Sequence, residues 1–389
     1  MSSSAAAAAQ RPARRHDLDW LRVLAVLVLL FFHAGRLFDR WPWHLKNEVL
    51  SEGITRVNLF ITIWLMPLFF LLSGAASRFA LKYRTGREYV QERFFRLFVP
   101  LVFGIFVIVP PQVYCERLFR NQFNGSFLGF YPHIFEGVYP AGNFSWHHLW
   151  FLAYLFVFSL LALPLFIYLG HNRKPLFLIR LLARIEKPWG LMLLPALPLA
   201  AYEALLRPFW PQGDQNLVND WANFFFYITV FIYGYLLIPE EGIKASIERQ
   251  GGRAVTLGLV SAVMILTYYF SFIPLKIDPL FGGVADLLYR IVWGFSCWFW
   301  LVAILSLGSR YLRMHNDVLR YSNEAVLPFY ILHQTVIVVI GYFVFNWDLG
   351  VGGKYIFLSL ASLLASIVIY AVIVRRFTPT RFLFGMRLQ

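Results

Sequence analysis

The sequence predicts an all-α integral membrane protein of about ten transmembrane helices, with both termini in the cytoplasm. Composition is the first reason. Of 389 residues, 59% are hydrophobic and only 14% charged, and mean hydropathy is +0.60; roughly a quarter of a soluble domain is charged. Second, apolar windows long enough to cross a hydrocarbon core of ~30 Å recur along the whole chain. Third, Lys and Arg gather in every second connecting segment, the asymmetry that orients membrane proteins.

The elements follow in order. Residues 1–15 are Ser/Ala-rich and then basic, and are expected to form a disordered cytoplasmic tail. The first apolar window, 17–38, resembles a secretory signal, but His33-Ala34-Gly35-Arg36-Leu37-Phe38 offers no small-x-small cleavage pattern. It is read as an uncleaved membrane helix. Further windows lie at 57–80, 97–114, 146–170, 190–206 (interrupted by Pro195 and Pro198), 221–239, 254–273, 284–308, 326–345 and 353–374. A single transmembrane domain is therefore expected over 16–376, followed by a cytoplasmic tail, 377–389.

Basic residues cluster in the N-terminal tail (Arg11, Arg14, Arg15), after the second window (Arg78, Lys82, Arg84, Arg87, Arg93, Arg96), after the fourth (Arg173, Lys174, Arg180, Arg184, Lys187) and beyond the last (Arg375, Arg376, Arg381, Arg387). The alternate segments hold fewer, Arg36, Arg40, Lys46 and Arg56 among them. The formal charge of +14 thus serves orientation and points to a lipid bilayer rather than nucleic acid. The longest outer segment, about 115–145, carries Asn, Gly, Tyr and Pro and could cover a substrate. Cys115 and Cys297 have no metal-binding spacing and are not expected to pair.

Four stretches could carry chemistry. Arg22 and His33 are eleven residues apart in the first window, about three helical turns, so they share a face ~16 Å apart. Asp19 lies one turn before Arg22. Ionisable groups within a membrane span are costly and mark function by default; the plain alternative is a snorkelling arginine and a histidine bonded to a neighbouring helix. Histidine suits proton abstraction from a hydroxyl, and arginine suits a phosphate or carboxylate.

Arg93 and Arg96 form an i,i+3 pair before Pro100, either a fork for an anionic ligand or ordinary positive-inside anchoring. His147-His148-Leu149-Trp150 opens the fourth window. Adjacent histidines diverge on a helix and make a poor two-ligand metal site, and Trp150 could be an interfacial anchor. His333 lies within the ninth window, where a lone histidine is more often a structural hydrogen-bonder, and Glu324 is placed to cap that helix. Nothing matches a P-loop, a dinucleotide fingerprint, a nucleophile elbow or a zinc motif. No metal is expected.

Taken together, Asp19-Trp20-Leu21-Arg22, the Arg22–His33 pair, Arg93-x-x-Arg96, His148-Leu149-Trp150-Phe151-Leu152 and Tyr330-Ile331-Leu332-His333 resemble the membrane-bound acyltransferase 3 family, over nearly the whole chain. Leu18-Asp19-Trp20-Leu21-Arg22 and Leu327-Pro328-Phe329-Tyr330-Ile331-Leu332-His333-Gln334 look like its glucan biosynthesis protein C branch, which is linked to succinylation of periplasmic glucans. The resemblance implies a bacterial inner-membrane O-acyltransferase with acyl-CoA as cytosolic co-substrate and no bound cofactor. It implies a carbohydrate or glycan hydroxyl as acceptor at the outer face. His33 would act as general base, Arg22 and Asp19 would assist, Arg93 and Arg96 would bind CoA phosphates, and His148, Trp150, His333 and Glu324 would form a second tier around the acceptor. A polar tunnel along the first helix is expected to join Arg93 and Arg96 to His33. The acyl group, acetyl or succinyl, stays open, with Arg36 either a partner for a succinyl carboxylate or an anchor at the outer interface; so does assembly into a homo-oligomer. Without acyl chemistry, ten helices with buried ions and Pro/Gly breaks would describe a transporter of a small anionic or glycan substrate, though no convincing internal repeat is visible; a scaffold would not need the Arg22–His33 face.

Overall fold

The computed structural model describes residues 15–170, 174–211, 215–272 and 279–387. The expectations for residues 1–14, Arg173 and 388–389 lie outside them. The described residues are helical, with no strand, and all ten apolar windows coincide with helix. Among the described residues, eight helices are long and apolar enough to cross a membrane: α1 (His16–Gly35), α2 (Glu52–Leu81), α3 (Gly86–Phe119), α7 (Pro188–Phe209), α9 (Glu241–Ser271), α10 (Gly283–Tyr311), α11 (Asp317–Val344) and α12 (Val351–Val374). The fourth window is a pair, α4 (His147–Leu161) and α5 (Leu163–Gly170), bent by 49°. Pro164 explains the bend, because it cannot donate to the Leu160 carbonyl. The sixth window is the shorter α8 (Trp221–Leu237). A short α6 (Leu176–Ile185) precedes α7, and α13 (Thr378–Leu383) closes the chain.

Local chemistry sets the boundaries. Ser51 Oγ accepts from Ile54 N (3.3 Å) at the start of α2, and Thr85 with Glu88 forms a reciprocal capping box at the start of α3. Two prolines deform α3. Pro100 cannot donate to the Arg96 carbonyl, and a π-helical turn runs over Phe94–Phe98. Pro110 frees the Phe106 carbonyl, which accepts from the Tyr131 hydroxyl at 3.0 Å.

Glu324 does not cap α11. That helix begins seven residues earlier, where Asn316 Oδ1 accepts from Leu319 N at 2.9 Å. Inside the helix, Glu324 instead pairs with Arg381 (3.1 Å) and Arg375 (3.5 Å), fastening the C-terminal segment to the bundle. Residues 377–387 are thus packed. Arg381 is buried, and Gly385 (φ +67°) sits so close that a β-carbon would lie 2.7 Å from the Arg96 carbonyl oxygen.

Helix α1 is central and packs on α2, α10, α11 and α12. Helices α2 and α8 cross at two glycines. A β-carbon on Gly74 would lie 1.9 Å from the Phe231 carbonyl oxygen, and one on Gly234 equally close to that of Leu71. Small residues at a crossing let helix backbones approach where lipid offers no hydrophobic drive.

Candidate functional site

Two ends of the bundle matter: the tail face, where α1 begins, and the loop face, with residues 36–51 and 120–146. His33 is two residues from the loop-face end of α1, ~25 Å along the axis from His16. Arg22 lies toward the tail face, where its Nη1 pairs with Asp19 Oδ1 (3.3 Å) and donates to Asn323 Oδ1 (3.4 Å) on α11. His33 also meets α11, at His333. The two residues therefore face one partner helix, as their spacing implies, but they belong to opposite ends of it.

The histidine contact fixes a proton arrangement. His333 Nδ1 lies 2.6 Å from the Tyr330 carbonyl oxygen, which only accepts, so Nδ1 carries hydrogen and Nε2 carries a lone pair. His33 Nδ1 lies 2.9 Å from that Nε2, so it must donate. The lone pair of His33 is thereby placed on Nε2, which makes no hydrogen bond among the described residues. The Tyr330 carbonyl, acting through the His333 imidazole, holds the His33 ring in a single tautomer and orientation, as an orienting group does for a catalytic base. His148 joins this group. Its ring lies 5.2 Å from that of His333, and its Nε2 donates to the Ile331 carbonyl (3.0 Å), leaving Nδ1 toward Gln112 (3.5 Å).

Toward the loop face a polar network continues that the residue pattern did not flag. Gln334 Nε2 donates to Gln112 Oε1 (2.9 Å) and His44 Nε2 (3.2 Å). His44 Nδ1 donates to Glu116 Oε2 at 2.6 Å. The buried Glu116 carboxylate also accepts from Tyr139 and pairs with Arg120 at 3.0 Å. Trp43 lies almost parallel to His33 (6.2 Å, 14°), and His147 stacks on His44 at 4.4 Å. Among the described residues, His44, Glu116 and His147 place ligand-type atoms within 4.8 Å of one another. Burial, then the Glu116 charge, raises the Tyr139 phenol above its ordinary pKa.

A neighbouring cluster is structural. Asp39, fully buried, accepts from Arg36 (2.7 Å), Lys46 (3.0 Å) and Asn58 (2.9 Å), and Arg36 also donates to the Pro42 carbonyl. Burial lowers the pKa of both Arg36 and Lys46, and Asp39 partly offsets it.

The remaining sequence candidates are elsewhere. The π-helical turn sends Arg93 and Arg96 to different partners. Arg93 bonds Ser77 (3.1 Å) and covers the Tyr89 ring, whereas Arg96 bonds Glu92 and the Gly385 carbonyl, each at 3.3 Å. Trp150 is buried against Tyr154 and Tyr227, and Glu324 serves the C-terminal segment. At the tail face lies a cavity of about 1,200 Å³, lined in part by Arg15, Arg78, Lys82, Arg84, Lys244 and Arg313. Its lining includes neither His33 nor Arg22, Arg93 or Arg96.

His44 and Tyr139 escaped the sequence reading because each is a single polar residue in a loop, and Gln112 and Glu116 because each is a lone polar residue within or just beyond an apolar window. One signal was available: Glu116 is an isolated acid at the end of an apolar window, beside Arg117 and Arg120.

Residues 15–371 match the model of the acyltransferase domain family. The chain is also similar to proteins named glucans biosynthesis protein C. It is 23% identical to those of Salmonella paratyphi A and Salmonella agona (strain SL483), and 24% to that of Salmonella heidelberg, over 346 residues. Each alignment covers 85% of this chain and 84% of the relative.

Proposed function

Because the chain belongs to the acyltransferase 3 family, we propose that this multi-pass membrane protein carries an acyl group from cytosolic acyl-CoA to a hydroxyl of a carbohydrate or glycan acceptor at the outer face of the bacterial inner membrane. The observation that carries the reading is the His33 imidazole. Its Nδ1–H is committed to His333 and its Nε2 lone pair is free, at the loop-face end of the central helix.

In the proposed step, His33 Nε2 takes the hydroxyl proton as the oxygen attacks the thioester carbonyl. The C–S bond breaks, the thiolate leaves, and the proton on His33 passes to it. General-base help of this kind is worth roughly 10²–10⁴ in rate.

The tail-face cavity, whose lining holds six Lys or Arg side chains against the four acids Asp17, Glu240, Glu241 and Glu248, offers a modest positive excess for the phosphates of the donor. From the start of α1 to His33 is ~25 Å, whereas a pantetheine arm spans on the order of ~15–20 Å by analogy with an extended chain. The donor's head group must therefore enter some way below the tail face. Arg93 and Arg96, each held by protein groups and outside the cavity lining, do not form one fork; contact of either with the donor phosphates would require those bonds to open. Arg36 is already paired with Asp39, which favours acetyl over succinyl.

The test is purified protein with radiolabelled acetyl-CoA and a glucan oligosaccharide. His33→Ala should abolish transfer while inserting and unfolding like wild type. Full transfer by that variant would end the assignment, and substrate flux without acyl transfer would identify a carrier instead.

A further inference from the structure

We propose that Trp43, His44 and His147 form the acceptor subsite, a platform for a polyol ring beside His33. This rests on the acyltransferase reading and says where its acceptor sits. A file of rings runs outward from the base: His33 lies nearly parallel to Trp43 (6.2 Å), Trp43 is 5.1 Å from His44, His44 stacks on His147 (4.4 Å), and Tyr139 meets His147 edge-on (4.8 Å). Trp43 is only partly buried and lies next to the reacting imidazole. Flat apolar faces with a few fixed polar groups are what a sugar ring requires, since it presents C–H on its faces and hydroxyls at its edge.

One polar feature points to a ligand. His147 Nε2 is buried without a hydrogen-bond partner among the described residues, while its Nδ1 is held by Ser145 Oγ at 2.8 Å. A buried polar atom left unpaired is costly, and a hydroxyl would satisfy it. The support beneath the platform is rigid. Glu116 orients His44, and Arg120 joins Glu116 to the Trp43 carbonyl (3.2 Å).

The same cluster has the residue types of a metal site, but its charges favour the polyol. The Glu116 carboxylate is occupied by His44, Tyr139 and Arg120, and Arg117 lies over the Tyr139 ring. A divalent cation would have to displace the His44 hydrogen bond in a surrounding already positive.

The experiment measures KM for a glucan oligosaccharide and for acetyl-CoA separately, and oligosaccharide binding by tryptophan fluorescence without donor. Trp43→Ala and His147→Asn should raise the oligosaccharide KM about 10- to 100-fold, the effect of losing one such contact, with acetyl-CoA KM within about 3-fold. Asparagine tolerates the φ of +40° at His147, so His147→Asn keeps the fold. Trp43→Phe, which retains a plane, should recover most of the affinity. Folded Trp43→Ala and His147→Asn with unchanged acceptor KM and binding would overturn the subsite. So would one equivalent of zinc retained by wild type and lost in His147→Asn. Wild type that binds the oligosaccharide but transfers nothing would support the subsite and count against the acyltransferase reading alone; wild type that does neither would overturn both.

Discussion

Replacing His333 with alanine tests the proton arrangement most directly. His333 Nε2 is the acceptor of His33 Nδ1–H at 2.9 Å, and its own tautomer is set by the Tyr330 carbonyl at 2.6 Å. Alanine leaves the His33 Nδ1–H without that acceptor, frees the ring to turn, and lets the proton move to Nε2, where the base must be empty. A partly buried donor that loses its only partner costs about 1–3 kcal/mol. If that loss falls on the reactive state, the rate drops about 5- to 150-fold. The assay is the initial rate of labelled acetyl transfer from acetyl-CoA to a glucan oligosaccharide, with thermal unfolding in detergent as the control for fold. We expect kcat to fall within that range, with both KM values within about 3-fold. His333→Gln, whose carbonyl oxygen can still accept, should lie between alanine and wild type. A His333→Ala enzyme within 3-fold of wild type would refute the reasoning, and so would a glutamine variant no better than alanine.

Other expectations follow from the same geometry. Gly74→Ala forces a β-carbon to within 1.9 Å of the Phe231 carbonyl oxygen, so α2 and α8 must separate; unfolding in detergent should register a loss of about 1–3 kcal/mol. Asp39→Asn leaves Arg36 and Lys46 sharing one neutral amide in a buried pocket and should cost about 3 kcal/mol, measured the same way. Lys82→Glu, at an exposed position of the tail-face cavity, should raise the acetyl-CoA KM about 3- to 10-fold at low salt and less at high salt, because exposed charges are screened. Equal effects at both ionic strengths would argue against an electrostatic role there.

Much of this protein was legible in its residue order. A membrane span depends mainly on the length and polarity of one local segment, since every backbone group must bond within its own helix. All ten apolar windows accordingly appear as helix. The same locality made the Arg22–His33 face readable: helical periodicity alone directs both side chains to one side, and the structure puts α11 there. Where prolines perturb that periodicity, reading by spacing loses its hold. The π-helical turn before Pro100 separates Arg93 from Arg96, which a regular helix would hold together. Asn316 starts α11 earlier than hydropathy indicates, which moves Glu324 into the helix and into a different task.

Tertiary structure alone decided which groups meet. The bond between His33 and His333 joins residues 300 apart in sequence, and that between His44 and Glu116 joins residues 72 apart. No local pattern encodes such pairs, because they depend on how helices cross and on where a loop folds back. Local periodicity therefore established the spans and the face of α1. Packing across the bundle chose the tautomer of His33, neutralised Arg36 with Asp39, and set Trp43 beside the imidazole, because hydrogen bonds and ring contacts act over a few ångströms in space without regard to distance along the chain.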